Sequence, residues 1–294
     1  MNEAMVDLCP VGADPVRLYV ARGRAEEAWL DTQLVLLGEQ GTLGEHGVNT
    51  QVISVDAHAS QLHLAALGKT GVVSLATQAG VVFEQINGPG TGNGRFGYVT
   101  RIRFVGDELF ACGDMRQIYR RAEAGWEPFD FGLRETDQRK VGCSLNDMAG
   151  LSTDFLFAVG DRGRIFRHVG SGWEDCASPT NVSLERVLVD ESGEVWACGA
   201  QGTLLHGDGA SWEVIDFSSR TDETFWGLAR YRGHTHVCSS QGLYRLESSG
   251  LVALTIPGFT TAPHRLASDA DSLWVMSSSE LARFDGSAWV KVPV

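Results

Sequence analysis

Apolar positions recur along this chain in short alternating runs, each closed by a turn signal, and the runs repeat as a set. The stretch from Phe155 to Trp173, FLFAVGDRGRIFRHVGSGW, shows the set most completely. An apolar strand ends in a Gly-rich turn, a second alternating strand follows, and a Gly-Trp pair opens a third. Alternation with period 2, bounded by turn residues, marks half-buried strands. Anchors at the end of the apolar strand fall, in chain order, at Val20, Leu67, Cys112, Val159, Cys198, Cys238 and Met276, spaced by 47, 45, 47, 39, 40 and 38 residues.

Each anchor leads into a turn: Gly68-Lys69-Thr70-Gly71, Gly113-Asp114-Met115-Arg116, Gly160-Asp161-Arg162-Gly163, Gly199-Ala200-Gln201-Gly202, Ser239-Ser240-Gln241-Gly242 and Ser277-Ser278-Ser279-Glu280. Gly in the fourth place supplies a positive φ. Arg116 and Glu280 in that place predict a different turn, or a strained one. The next strand alternates, as in Ile165-Phe166-Arg167-His168. A hairpin then enters a strand opened by Trp126, Trp173, Trp212 or Trp289, with Gly80-Val81 and Gly250-Leu251 in two other copies. A further strand precedes the anchor strand, as in Arg186-Val187-Leu188-Val189.

Each repeat thus holds four short strands, A to D, that cannot bury their own faces and must stack on neighbouring copies. This period and strand count predict an all-β, seven-bladed β-propeller of four antiparallel strands per blade, one domain across 1–294, with strand A lining a central channel. Six blades are plain. The N-terminal one is degraded, with Met5–Leu8 as A, Arg17–Val20 as B and Ala28-Trp29-Leu30 as C or D. The last copy is complete through Trp289–Val292, so the ring closes by face packing alone or through an edge strand from residues 1–10.

Composition narrows the function classes. The 294 residues are 43% hydrophobic, with 35 Gly and 8 Trp, which suits many tight turns around a packed core. The formal net charge of −13 argues against nucleic acid or an anionic membrane as partner and for a basic protein. Only Lys69, Lys140 and Lys291 are lysines among the 24 basic residues. Met1–Asp14 carries neither a basic segment nor an apolar run, so no secretory signal is expected. The six cysteines, Cys9, Cys112, Cys143, Cys176, Cys198 and Cys238, show no metal-ligand spacing. Three of them occupy the anchor position, so they read as small buried hydrophobes in a reducing, cytoplasmic setting.

Units such as Arg283-Phe284-Asp285-Gly286-Ser287-Ala288-Trp289 and Gly160-Asp161-Arg162-Gly163-Arg164-Ile165-Phe166-Arg167 resemble bacterial propellers of the BNR and photosystem II assembly factor type. They are also similar to kelch and galactose-oxidase repeats. The Asp-box of BNR proteins, S-x-D-x-G-x-[ST]-W, is not met: His206-Gly207-Asp208-Gly209-Ala210-Ser211-Trp212 places its Asp one residue late. The resemblance implies a fold and a scaffold role, and no activity.

Candidate chemistry lies where loops meet the channel. D–A and B–C connections share the face of the channel mouth, and the D–A connections are long: Glu39–Thr50, Asn87–Tyr98, Asp130–Leu145, Asp175–Val182, Asp216–Thr224 and Pro257–Pro263. The Gly-rich run Asn87–Arg95 lacks the Gly-Lys-Ser/Thr and following helix of a phosphate loop. At the start of strand A, Arg101, Arg186 and Arg265 share one position with Asp147 and Gly227. Three Arg there either grip a carboxylate or phosphate or form an ionic network tying blades together. His234-x-His236 puts two imidazoles on one strand face, but His236 occupies the packing position of Trp196, Phe157 and Phe110.

These features predict a monomer-capable, non-enzymatic scaffold, without cofactor or metal, that binds a basic protein through its loop face, as an acidic inhibitor or immunity protein would. The binding residues are expected among Arg95, Arg134, Arg139, Lys140, Arg220 and Trp226, with Arg101, Arg186 and Arg265 behind them. The acidic Glu135, Asp137, Asp147, Asp222 and Glu223 serve a basic partner. Two other classes remain open. A sialidase-like enzyme would use the Arg cluster but also needs a Tyr/Glu pair and an acidic Asp. A lectin-like binder would repeat its sites between blades.

Overall fold

A computed structural model describes residues 3–13, 16–24, 32–38, 41–58, 63–77, 80–86, 96–217 and 222–293. Seven four-stranded sheets follow one another: β1–β4 (Glu3–Ala13, Val16–Arg24, Thr32–Gly38, Gly41–Val48), β5–β8 (Val52–His58, His63–Gly68, Val72–Thr77, Gly80–Gln85), β9–β12 (Val99–Val105, Glu108–Gly113, Ile118–Ala122, Gly125–Pro128) and β13–β16 (Leu145–Ser152, Phe155–Gly160, Ile165–His168, Trp173–Cys176). The last three are β17–β20 (Leu184–Val189, Val195–Gly199, Leu204–Gly207, Trp212–Val214), β21–β24 (Gly227–Tyr231, His234–Ser239, Gly242–Glu247, Gly250–Leu254) and β25–β28 (Arg265–Ser268, Leu273–Met276, Leu281–Phe284, Trp289–Val292). Within each sheet the strands pair antiparallel in chain order. The protein is a seven-bladed β-propeller. No helix of the described residues is long and apolar enough to cross a membrane.

The N-terminal blade departs from expectation. It is a full four-stranded sheet whose C and D strands are β3 and β4, so residues 41–48 are strand and not loop. Ala28-Trp29-Leu30, expected there, lies outside the described residues. The ring closes without strand exchange, because β25–β28 complete the last sheet alone. Closure rests on face packing, on the Met5 N–H donating to the Ser278 carbonyl (2.8 Å), and on an Arg265–Asp7 ion pair (3.2 Å).

The core is divided by blade interface. Seven apolar clusters each join two consecutive blades, and one of them sets Met5, Leu8, Val20, Val35 and Leu37 of the first blade against Trp274, Met276 and Leu281 of the last. Cys112, Cys198 and Cys238 are fully buried free thiols in three of these clusters. Burial pushes the Cys112 and Cys238 thiols up to about 12, and Cys198 well above its ordinary range. Trp126, Trp173, Trp212 and Trp289 are half-buried and pack into the interface with the preceding blade. Trp173 also donates its indole N–H to the Phe129 carbonyl of that blade (2.9 Å).

The B–C turns explain themselves locally. Gly163 (φ +70°) brings its Cα so close to the Thr180 carbonyl that a Cβ would sit 2.2 Å from the oxygen. Arg116 keeps the same left-handed conformation (φ +58°) despite its side chain, a strained copy of that turn. Glu280 solves the problem differently. Ser277 Oγ caps the turn by accepting the Glu280 N–H (2.9 Å), while the Glu280 carboxylate accepts the N–H groups of Thr260 and Thr261 (both 2.7 Å).

Candidate functional site

Strand pairing fixes which residues ring the channel. The residues opposite the anchors are Asp7 (facing Ala21), Ser54, Arg101, Asp147, Arg186, Gly227 and Arg265. In the first blade the anchor is thus Ala21, one residue after Val20. Arg101, Arg186 and Arg265 do come together beneath the loop face, Arg101 and Arg265 within an ionic network and Arg186 beside it. Asp7 pairs with Arg265 (3.2 Å) and Arg101 (3.5 Å), and its Oδ2 accepts the Val55 N–H (3.0 Å). Asp147, 1% exposed, pairs with Arg103 (3.1 Å) and Arg101 (3.5 Å). Five blades, the first four and the last, are tied across the channel by these contacts.

Burial pushes the Asp7 carboxyl up, but Arg265, then Arg101, Arg103 and Arg186, outweigh it and leave it below its usual range. Burial lowers Arg101 and Arg186 to about 10. Burial also pulls Arg103 down, yet Asp147, Asp56 and Asp7 leave it raised. Asp7, Arg103 and Asp56 belong to this ring although the repeat pattern does not single them out. Arg103 could have been found, since it lies two residues beyond Arg101 on the same strand face.

The loop face is built on residues 129–144, between β12 and β13. Buried Asp130 clamps Arg134 (2.9 Å), whose guanidinium lies over the rings of Phe96 and Tyr119 (both 5.2 Å). Arg134 is therefore a strut and is not displayed. The Glu135 N–H donates to the Met115 carbonyl (2.8 Å), fastening the loop to a B–C turn. Lys140 pairs with Glu135 (2.7 Å) and holds that carboxyl below its usual range, and exposed Arg139 pairs with half-exposed Asp137 (2.9 Å). These cations edge a cavity of about 420 Å³ that Arg116, Arg162, Arg164 and Phe166 complete. Val141 stands out from the same loop, 74% exposed, whereas Phe131 folds its ring beside Phe129 (4.9 Å) and His168 (5.5 Å) at the far end of β15.

Further round the face, Trp226 and Asp222 are exposed, and Glu223 accepts a hydrogen bond from Ser239 Oγ. Arg95 and Arg220, with the whole Gly-rich run 87–95, lie outside the described residues. His236 is buried, its Nδ1 3.1 Å from the His234 carbonyl, and burial lowers it to about 4. No group of His, Cys, Asp or Glu among the described residues is arranged to hold a metal.

Solved structures similar to this chain are propellers. The WD40 propeller domain of Doa1 superposes with a TM-score of 0.67 at 13% identity, over 96% of this chain and 92% of that one. The WD40 repeats of RRP9 give 0.69 at 12% identity, over 99% and 92%. YCF48, solved bound to a D1 peptide, gives 0.66 at 14% identity, over 96% and 92%. These likenesses concern the fold. No protein-family profile matches the chain. In sequence, the immune protein Tsi7 of Pseudomonas aeruginosa is 30% identical over 230 residues, which cover 77% of this chain and 74% of that protein. By that extent of identity, the chain belongs to the family of the immune protein Tsi7.

Proposed function

We propose that this protein is an immunity protein that restrains a basic partner protein by binding it on the D–A loop face. The observation that carries this reading is the display of Val141 and Trp226 on loops pinned to a rigid scaffold. Large side chains held out of a core by a fastened loop are suited to anchor an interface, with Arg139, Lys140, Asp137 and Asp222 as its polar surround. The net charge of −13 favours a basic partner through long-range steering, while the local ion pairs set register. Membership in the Tsi7 family supports the immunity role, and YCF48 offers a propeller of the same architecture that holds a peptide. Six cysteines without disulfides suit action in a reducing cytoplasm.

The partner is identified by capture from the native organism on immobilised protein, starting with the product of the neighbouring gene. Purified partner is then titrated against a Val141→Ala variant, a Trp226→Ala variant, and a Phe83→Ala control on the outer strand β8. Binding weakened at least tenfold by the loop variants alone supports the assignment. Normal binding by the loop variants with loss in the control places the partner on the rim and overturns it.

A further inference from the structure

Below the ionic ring the channel widens into a cavity of about 240 Å³, lined by Arg103, Arg186 and Arg265 together with Asp7, Asp56 and Asp147 and apolar walls such as Val187 and Leu228. The cavity lining carries three arginines and three aspartates, but they are not evenly paired. Asp7 and Asp147 are already taken up by Arg101, Arg103 and Arg265. Arg186, 8% exposed, makes one hydrogen bond among the described residues, from Nη1 to the Glu185 carbonyl (2.6 Å), and no ion pair. Half-buried Glu185 itself forms no ion pair with it. A guanidinium buried without a carboxylate is costly, and its planar fork fits two oxygens of one anion.

We infer that the channel is a binding site for a small oxyanion, a carboxylate or a phosphate or sulfate group, gripped by Arg186 with Arg103 and Arg265 beside it. At about 30 Å³ of liquid volume per water, the cavity has room for such a group and a few waters. A cation is disfavoured, because Asp7 and Asp147 are spent on arginines. Asp56 is the one carboxylate of the cavity without an arginine in ion-pair contact among the described residues, Arg103 acting on it only at longer range. Its Oδ2 accepts the Phe104 N–H (2.7 Å), and burial pushes it up to about 6. Near neutral pH it repels the anion, and its protonation removes that repulsion.

The site is independent of any partner on the loop face. The full chain is titrated by calorimetry with sodium sulfate and, in a second arm, sodium acetate, at constant ionic strength set with sodium chloride. Saturable one-site binding is expected in at least one arm, and the tighter arm identifies the oxyanion class. Arg186→Met is expected to weaken it at least tenfold, and Arg186→Lys, which keeps the charge without the fork, to weaken it less. Arg121→Ala on β11, which removes an exposed arginine paired with Glu84, leaves it unchanged. Sulfate, which stays doubly charged across this range, binds more tightly at pH 5.5 than at pH 7.5. No saturable heat in either arm up to tens of millimolar, or unaltered binding by both Arg186 variants, overturns the site.

Discussion

Asp7 is the residue on which closure of the ring depends electrostatically, and Asp7→Asn isolates that role. The substitution keeps the shape of the side chain and an acceptor for the Val55 N–H, and removes only the charge. Arg101 retains Asp147 at 3.5 Å, but Arg265 loses its carboxylate partner across the seam between the last and first blades. Breaking a buried pair by removing one partner costs about 3–5 kcal/mol. Because Arg265 is partly exposed and Arg101 keeps one partner, the low end applies, about 3 kcal/mol. Urea melts of wild type, Asp7→Asn, Arg265→Gln and the double variant read this directly, and the cycle yields the coupling. The native carboxyl lies below its unfolded value, so its stabilisation is fully present above about pH 4 and is lost as pH falls further. The gap between wild type and Asp7→Asn therefore closes in acid. A gap under about 1 kcal/mol at pH 7, or one unchanged down to pH 3, refutes the reasoning.

Thiol titration of the native protein is expected to leave Cys112, Cys198 and Cys238 unreactive and to recover all three after denaturation; rapid native labelling of any of them contradicts their burial. Trp173→Ala is expected to destabilise by about 3 kcal/mol in denaturant melts, the lower part of the range for aromatic truncation, since the ring is half-buried yet fills the seam against Phe129. A loss below about 1 kcal/mol is inconsistent with that packing. Asp56 has a native carboxyl raised to about 6, so the stability its acid form contributes is present below about pH 4 and is lost as pH rises through 6. Asp56→Asn is then expected to gain about 1–3 kcal/mol over wild type between pH 4.5 and pH 7.5, and a pH-independent difference in melts excludes this account.

The repeat, its four strands and the burial of the anchor thiols were legible in the chain, because strand alternation and turn chemistry are local and recur at nearly constant spacing. Arg101, Arg186 and Arg265 could be aligned for the same reason. Asp7 could not. The separation from ring residue to anchor grows from 11 residues, between Arg101 and Cys112, to 14, between Asp7 and Ala21, because the A and B strands of the first blade are longer, so counting back from an anchor misses it. Nor did composition distinguish Arg134, folded under its loop onto Asp130, from Arg139, which is displayed: both are arginines of one loop, and only the tertiary position of Phe96 and Tyr119 separates them. Ion-pair partners in the channel are decided by closure of the ring, which sets Arg265 beside a carboxylate 258 residues away while leaving Arg186 without one. Local sequence carries the period of a blade, but Coulomb energy depends on distance across the assembled ring, and only the folded chain defines that distance.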